Sequence, residues 1–158
     1  MLIGFTNSDC VGDPDDRNST TGYVFTLGSR PINWSHKKQS AISLSSAEVE
    51  YRGAVEDSKE AMWLSQILFE FGLHQQHPTT LRCENQSAIQ LCKDPIQHER
   101  MKHIELHICF IRKLIHDHVL EVQYYPTNDQ VTDIFTKALT KAKFTKLRSM
   151  LEVQESYY

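Results

Sequence analysis

Four acidic residues stand beside predicted strand ends or helix starts, where side chains from distant segments can meet. They are Asp9 near the end of a first strand, Glu50 early in a long helix, Glu84 directly after a later strand, and Asp133 near another helix start. A neutral oxygen donor, Asn7, shares the strand face of Asp9. Because strand ends and helix starts converge along one edge of a mixed sheet, we expect these groups to lie close together.

Clustered carboxylates repel one another unless a cation neutralises them, and hard oxygen ligands select Mg²⁺ or Mn²⁺. Two such ions about 4 Å apart can activate water and stabilise the leaving oxygen in phosphodiester hydrolysis. A second interpretation is that these are surface acids, which the helix dipole favours at helix starts. The spacing alone leaves both interpretations open.

The elements that must position these residues follow from hydrophobic periodicity and turn signals. Alternating apolar residues predict a three-strand antiparallel meander in the first 45 residues, and helices alternate with strands afterwards. The predicted strands are Leu2–Asp9, Gly22–Leu27, Ile32–His36, Thr80–Cys83 and His118–Tyr125. The predicted helices are Ser46–Phe71, Asn85–Cys92, His103–Asp117, Thr127–Leu139 and Lys141–Leu151. This order predicts an α/β fold, with one five-stranded mixed sheet and flanking helices.

Two capping boxes and one glycine refine the prediction of the helices. Ser45 with Glu48 is expected to cap the long helix, and Thr127 with Gln130 is expected to open the helix that carries Asp133. Gly53, inside the long helix, predicts a close neighbour at that point.

Length and composition predict one globular domain, over residues 1–152, with a short tail at 153–158. Apolar residues make up 40% of the chain and charged residues 23%, which excludes a disordered or fibrous protein. Neither an apolar run of membrane-spanning length nor a secretory signal is present. The four cysteines are irregularly spaced, as is typical of reduced thiols. We therefore expect a cytoplasmic or nuclear protein with no membrane contact.

The net charge of −3 argues weakly against a nucleic-acid ligand, but the charges are unevenly distributed. Four acids and no base lie between Asp9 and Asp16, whereas five bases and no acid lie between Ile134 and Leu151. The basic run fits either a solvated helix face or a phosphate-facing patch.

Several motifs, taken in order, resemble the ribonuclease H domain of copia-type LTR retrotransposon Pol polyproteins. They are FTNSD, SSAEVEY, CENQSAI, MKHIELHICFIRK and PTNDQVTDIFTKAL, and the resemblance covers roughly residues 2 to 152. It implies a ribonuclease H-like fold that hydrolyses the RNA strand of RNA–DNA hybrids. It also implies two divalent ions, Mg²⁺ or Mn²⁺, held by four acids.

The resemblance assigns roles to particular residues and shows two departures. Glu50 and Asp133 match family acids, whereas Glu84 stands where the family has aspartate and Asn7 replaces the first-strand aspartate. Asp9 matches a second acid that copia-type sequences often carry. Because asparagine at position 7 carries no charge where the family has aspartate, the rate of hybrid hydrolysis is predicted to be lower by about 10² or more. Asn7 fits an engineered substitution, natural drift, or transfer of its role to Asp9.

The resemblance also suggests substrate contacts. Asn85 and Gln86 match positions near the minor groove of the hybrid, where an amide suits 2′-hydroxyls, although Asn85 could instead cap its helix. Four bases are candidates for phosphate contacts or for solvated loop charges: Lys37, Lys38, Arg100 and Lys102.

Two histidines, two cysteines and the two tryptophans are interpreted as structural residues. His103 and His107 have metal-ligand spacing but no third ligand, so ordinary helix histidines are favoured. Cys83 and Cys92 are predicted to be buried apolar residues, and Trp34 and Trp63 are predicted to lie in the core or to cover the sheet.

Two functions from different classes remain at this point. The first is a weakened ribonuclease H. The second is an inactive ribonuclease H fold that binds nucleic acid or an unknown protein partner. Met1 directly before the first strand fits a stand-alone fragment or a domesticated copy.

Overall fold

A computed structural model of the chain describes residues 1–9, 19–39, 45–93 and 105–153. The side chains of residues 9 and 105–108 lie outside this description. Of the sequence predictions, those for Arg100, Lys102 and His103 fall outside the described residues, as do the side chains of Asp9 and His107.

The centre of the fold is one five-stranded mixed sheet in the order β3-β2-β1-β4-β5. β1 pairs antiparallel with β2 and parallel with β4, and β5 continues the parallel side. The strands are β1 (Leu2–Asp9), β2 (Thr20–Leu27), β3 (Arg30–Lys38), β4 (Thr79–Cys83) and β5 (Leu120–Tyr124). The helices are α1 (Ser46–Glu70), α2 (Gln86–Lys93), α3 (Glu105–His116), α4 (Asp133–Thr136) and α5 (Lys141–Met150). The predicted fold class is therefore confirmed.

Side-chain alternation along the strands gives the sheet two apolar faces. The larger core packs α1, α2 and α3 against one face, around residues such as Leu2, Phe25 and Leu81. The opposite face carries a smaller cluster of Phe5, Val24, Val131 and Leu151, against which Ile134 and Phe135 of α4 pack. Asn7 follows Phe5 by two residues and therefore projects from the same face as this smaller cluster.

Ser45 caps α1 as predicted, since its side chain accepts a hydrogen bond from the Glu48 backbone N–H at 3.2 Å. The predicted helix over residues 127–139 is wrong. A 3-10 turn at Thr127–Asp129 ends before Gln130, and α4 has only four residues. Gln130 does not complete a capping box, because its side-chain amide donates to the Thr6 carbonyl at 3.0 Å in the buried interior. A tertiary contact with β1 thus interrupts the local helix signal.

Both tryptophans contradict their prediction, since Trp34 is 57% exposed and Trp63 is 55% exposed. Trp34 lies on β3, an edge strand, and Trp63 lies on the outer side of α1. Cys83 and Cys92 are buried, as predicted. None of the helices within the described ranges has the length and apolar character needed to cross a membrane.

Two glycines permit close approaches that shape the site. At Gly53, a Cβ atom would lie 2.6 Å from Ser8 Oγ, which confirms the expected close neighbour. At Gly22, which pairs with Asn7 across the strands, a Cβ atom would lie 2.8 Å from Thr136 Cγ2. Gly22 therefore lets α4 sit directly against the sheet beside Asn7.

Gly22→Ala is expected to lower the free energy of unfolding by about 1–3 kcal/mol, because the new methyl group overpacks the contact with α4. Thr136→Ser removes the opposing methyl group and should recover much of this loss in the double variant. Urea unfolding of the two single variants and the double variant measures the coupling. If Gly22→Ala lowers the free energy of unfolding by the same amount in the unmodified chain and in Thr136→Ser, this account of the contact is contradicted.

Candidate functional site

The site is built around a hydrogen bond between the central strand and α4. Asn7 Nδ2 donates to Asp133 Oδ1 at 2.6 Å, and both residues are fully buried. The same amide group lies 3.4 Å from Thr136 Oγ1. Asn7 Oδ1 is buried and has no hydrogen-bond partner among the described residues. The amide therefore satisfies Asp133 with its nitrogen and leaves its oxygen available.

Two lysines neutralise Asp133. Lys143 Nζ lies 2.6 Å from Oδ2, and Lys137 Nζ lies 3.0 Å from Oδ1. Lys137 also reaches Glu84, with 3.3 Å between Nζ and Oε1. Burial lowers the pKa of Lys137, but its bonds to Asp133 and Glu84 outweigh that effect and raise the pKa above its ordinary value. Lys137 is therefore charged and joins two of the acids.

Local structure explains where these lysines lie. Lys137 follows Asp133 by four residues, the spacing at which helical side chains meet. Lys143 belongs to the first turn of α5, where its backbone N–H donates to the Thr140 side chain at 3.4 Å. Leu147, one turn later on α5, is completely buried and holds this face of the helix against the domain.

Glu50 reaches the site from α1, and its surroundings raise its pKa. Burial, the largest cause, and the negative charge of Glu84 together raise the pKa of Glu50, which reaches about 8. The Ser8 backbone N–H, the Cys83 thiol and Lys137 act in the opposite direction. The thiol donates to Glu50 Oε2 across 3.6 Å, and burial raises the pKa of Cys83 itself. Glu50 therefore holds a proton at neutral pH.

The predicted substrate residues lie around the same edge of the sheet. Lys37 pairs in register with Thr21, which pairs with Ser8, so its backbone is two strands from the site, roughly 10 Å away. Lys37 and Lys38 are both exposed. Asn85 caps α2, since its Oδ1 accepts from the Ala88 N–H at 3.0 Å, and Gln86 is exposed beside it.

Two oxygen atoms of the site are available as acceptors. Glu84 Oε2, like Asn7 Oδ1, is buried without a hydrogen-bond partner in the described ranges. Both oxygens of Asp133 are engaged by ammonium groups. Within the part of the chain that the structure describes, no three acidic, histidine or cysteine side chains are grouped closely enough to hold a metal ion. Asn7 and Glu84 thus each keep one oxygen without a partner in the described chain, whereas Lys137 and Lys143 occupy both oxygens of Asp133, so this arrangement does not fit a pair of divalent ions.

Lys137 and Lys143 are the functional residues that sequence reasoning missed. The interval of four residues between Asp133 and Lys137 is a usable signal for an ion pair. Lys143 carries no such signal, because its bond to Asp133 depends on the packing of α5. The basic run between residues 141 and 148 is therefore more than a solvated helix face.

Comparison with known proteins identifies relatives over most of the chain, although no family model matches it. The chain is 41% identical over 143 residues to the retrovirus-related Pol polyprotein from transposon RE2 of Arabidopsis thaliana. It is 39% identical over 151 residues to the corresponding polyprotein from transposon TNT 1-94 of Nicotiana tabacum. The chain is homologous to a segment of transposon Pol polyproteins. This segment covers 90% and 96% of the chain but only 10% and 11% of those relatives.

Solved structures establish the fold of this Pol-related chain as that of ribonuclease H. LC11-RNase H1, isolated from compost, aligns with a TM-score of 0.62 at 12% identity, over 85% of this chain and 91% of that one. The N-terminal RNase H domain of a Mycobacterium tuberculosis protein aligns with a TM-score of 0.59 at 9% identity, over 96% and 98%. At these identities the likeness concerns the fold alone.

The protonation of Glu50 predicts how the stability of this Pol-related domain depends on pH. In the unfolded chain Glu50 ionises near its ordinary pKa of 4.5, whereas in the folded chain it keeps its proton to about pH 8. The contribution of Glu50 to stability is therefore fully present below about pH 4.5, and it is lost as the pH rises towards about 8. Glu50→Gln should remove this pH-dependent fall in the free energy of unfolding, which amounts to roughly a few kcal/mol. Urea unfolding across this range, in the presence of a chelator, measures it.

Exposed Glu70 on the same helix supplies the control, because Glu70→Gln should leave the slope of stability against pH unchanged. Asp57 is also buried with a raised pKa, so part of the slope should remain in Glu50→Gln. A slope identical to that of the unmodified chain would show that Glu50 is ionised in the fold.

Proposed function

We propose that the chain is a copia-type ribonuclease H domain that cleaves the RNA strand of RNA–DNA hybrids slowly, with a divalent ion, Mg²⁺ or Mn²⁺. The observation that carries the proposal is the convergence of Asn7, Glu50, Glu84 and Asp133 within a ribonuclease H fold. Relatives among transposon Pol polyproteins support the same assignment.

Both a solved structure of the same fold and residues of this chain support an RNA–DNA hybrid as the substrate. The compost enzyme of the same fold has a crystal structure in complex with an RNA/DNA hybrid, and it aligns here with a TM-score of 0.56. In this chain, Lys37 and Lys38 supply exposed positive charge at the sheet edge for phosphates. The exposed Gln86 amide, and the amide nitrogen that Asn85 does not use for capping, suit 2′-hydroxyl groups.

Asn7 Oδ1 and Glu84 Oε2 would hold the ion together with the Glu50 carboxylate, because the first two are buried oxygens without a hydrogen bond among the described residues. A divalent ion there supplies positive charge that stabilises phosphate oxygens in the transition state. Lys137 and Lys143 fix Asp133 beside this group of donors.

Three features of the chain account for slow hydrolysis. The amide of Asn7 carries no charge, so it holds a cation weakly. Glu84 is one methylene longer than aspartate, which shifts its carboxylate by about 1 Å, beyond the roughly 0.5 Å that catalytic sites tolerate. Glu50 must also lose its proton before it can act as an anionic ligand, because its pKa is about 8.

Asn7→Asp is expected to raise the rate of hybrid cleavage by about 10² or more, since it adds a carboxylate where the unmodified chain has an amide. Asn7→Asp/Glu84→Asp should cleave faster still. The assay follows a fluorescent RNA–DNA hybrid in Mg²⁺ and in Mn²⁺, beside RNA and DNA duplexes that should remain intact.

Asn7→Asp/Asp133→Asn is the matched control for contaminating nuclease and should show no cleavage above background. Rapid cleavage by the unmodified chain would contradict the proposed weakening. Absence of cleavage in both aspartate variants, with the fold retained by circular dichroism, would contradict the assignment as a ribonuclease.

Asp9→Ala tests whether Asp9 has taken over the role of the first-strand aspartate. Because Asp9 lies two residues beyond Asn7 on β1, its carboxylate could serve the same cation. We expect Asn7→Ala to lose more of the residual cleavage than Asp9→Ala. The reverse order would assign the role to Asp9.

A further inference from the structure

Three exposed side chains of the edge strand β3 form one row on the face of the sheet that carries α4. Trp34 pairs with Val24, which belongs to the apolar cluster on that face, and paired residues of antiparallel strands project to the same side. Because side chains alternate along a strand, His36 and Lys38 project from this face as well. All three are exposed, and together they are called the β3 row below.

Positive charge surrounds the indole of Trp34, and β3 carries no acid to balance it. The nine residues of the strand include the basic residues Arg30, His36, Lys37 and Lys38, but neither aspartate nor glutamate. Single-stranded nucleic acid binds where an aromatic ring stands beside basic side chains, since a base stacks on the ring and phosphates meet the cations. The chemistry of the β3 row therefore matches an unpaired nucleotide strand.

The apolar surface of β3 is too small for a stable protein interface. Ile32 is the other large apolar side chain that this strand exposes beside Trp34. An aromatic side chain buries roughly 150–250 Å², whereas a standard protein interface buries about 800 Å² on each partner. A single ring suits a nucleic-acid base, which covers an area of similar size.

The β3 row runs alongside the acid centre. Asn7 pairs with Gly22, and Gly22 pairs with His36, so these three residues form one line across the sheet. The backbones of Asn7 and His36 are two strand spacings apart, roughly 10 Å. A nucleotide strand bound along β3 thus passes beside the site that Asn7 helps to form.

We propose that the β3 row binds an unpaired nucleic-acid strand, with one base stacked on Trp34 and neighbouring phosphates against His36 and Lys38. The proposal goes beyond the function proposed above, because this binding needs neither hydrolysis nor a divalent ion. It gives the domain a contact with the single strand that continues from a paired hybrid.

The two tryptophans of the chain are matched reporters for this proposal, because Trp34 is 57% exposed and Trp63, on α1, is 55% exposed. Trp63→Phe leaves Trp34 as the sole tryptophan, and Trp34→Phe leaves Trp63. Oligothymidylate of roughly 12 nucleotides, added in the presence of a chelator, should quench the emission of Trp34 and leave that of Trp63 unchanged. A blunt duplex of the same strand with oligoadenylate should quench Trp34 less, because its bases already stack on one another.

The fluorescence anisotropy of labelled oligothymidylate measures the affinity. Trp34→Ala should weaken binding about tenfold or more, whereas Trp63→Ala should leave it unchanged. Trp34→Phe keeps an aromatic ring and should weaken binding less than Trp34→Ala. Lys38→Gln should reduce the slope of log affinity against log salt concentration by roughly 0.7, the value for one phosphate contact on a single strand.

Four results would overturn the proposal: no quenching of Trp34, equal quenching of Trp63, equal quenching of Trp34 by the duplex, or unchanged affinity in a folded Trp34→Ala. The reporter titration keeps Trp34 in place, so it decides the question even if Trp34→Ala does not fold.

This outcome is separable from the proposed function. If Trp34 responds as expected but Asn7→Asp does not cleave hybrid, the ribonuclease function fails and the role of the β3 row stands. If Asn7→Asp cleaves hybrid while the emission of Trp34 does not respond, the role of the β3 row fails and the function stands.

Discussion

The burial of a charged carboxylate at Asp133 is the constraint on which the rest of the site depends. Its three partners come from the central strand, the end of α4 and the first turn of α5. Removal of one partner from such a group leaves buried charge uncompensated, which is strongly destabilising. The same electrostatic requirement therefore holds the C-terminal part of the described chain against β1, beside the apolar cluster of Phe5, Val24, Val131 and Leu151.

The centre accommodates two buried acids in opposite ways. Asp133 is matched by two ammonium groups, whereas Glu50 has a neighbouring acid, Glu84, and keeps a proton instead. Lys137 links the two parts of the site, since it contacts both Asp133 and Glu84. The lysines thus lie on Asp133 and Glu84, whereas burial and the charge of Glu84 keep Glu50 in its protonated form.

Local patterns predicted the sheet, α1 with its Ser45 cap, and the acids that come together. They failed where distant contacts override local preference. Gln130 belongs to a capping box by spacing, yet it bonds to the Thr6 carbonyl, which confines α4 to four residues. Trp34 is a large aromatic residue of the kind often found in protein cores, but it lies on the edge strand β3 and is exposed to solvent. Lys143 could not be identified because only the packing of α5 brings it to Asp133.

The bond between Asn7 and Asp133 joins residues that are 126 positions apart in the chain. Contacts of such separation form slowly, because loop-closure entropy is lost before they contribute, and they dominate the folding rates of mixed sheets. During synthesis, β1 leaves the ribosome long before α5 exists. The acid centre is therefore a product of complete folding, and a nascent chain that lacks α5 has the first strand of the site without the lysine that balances it.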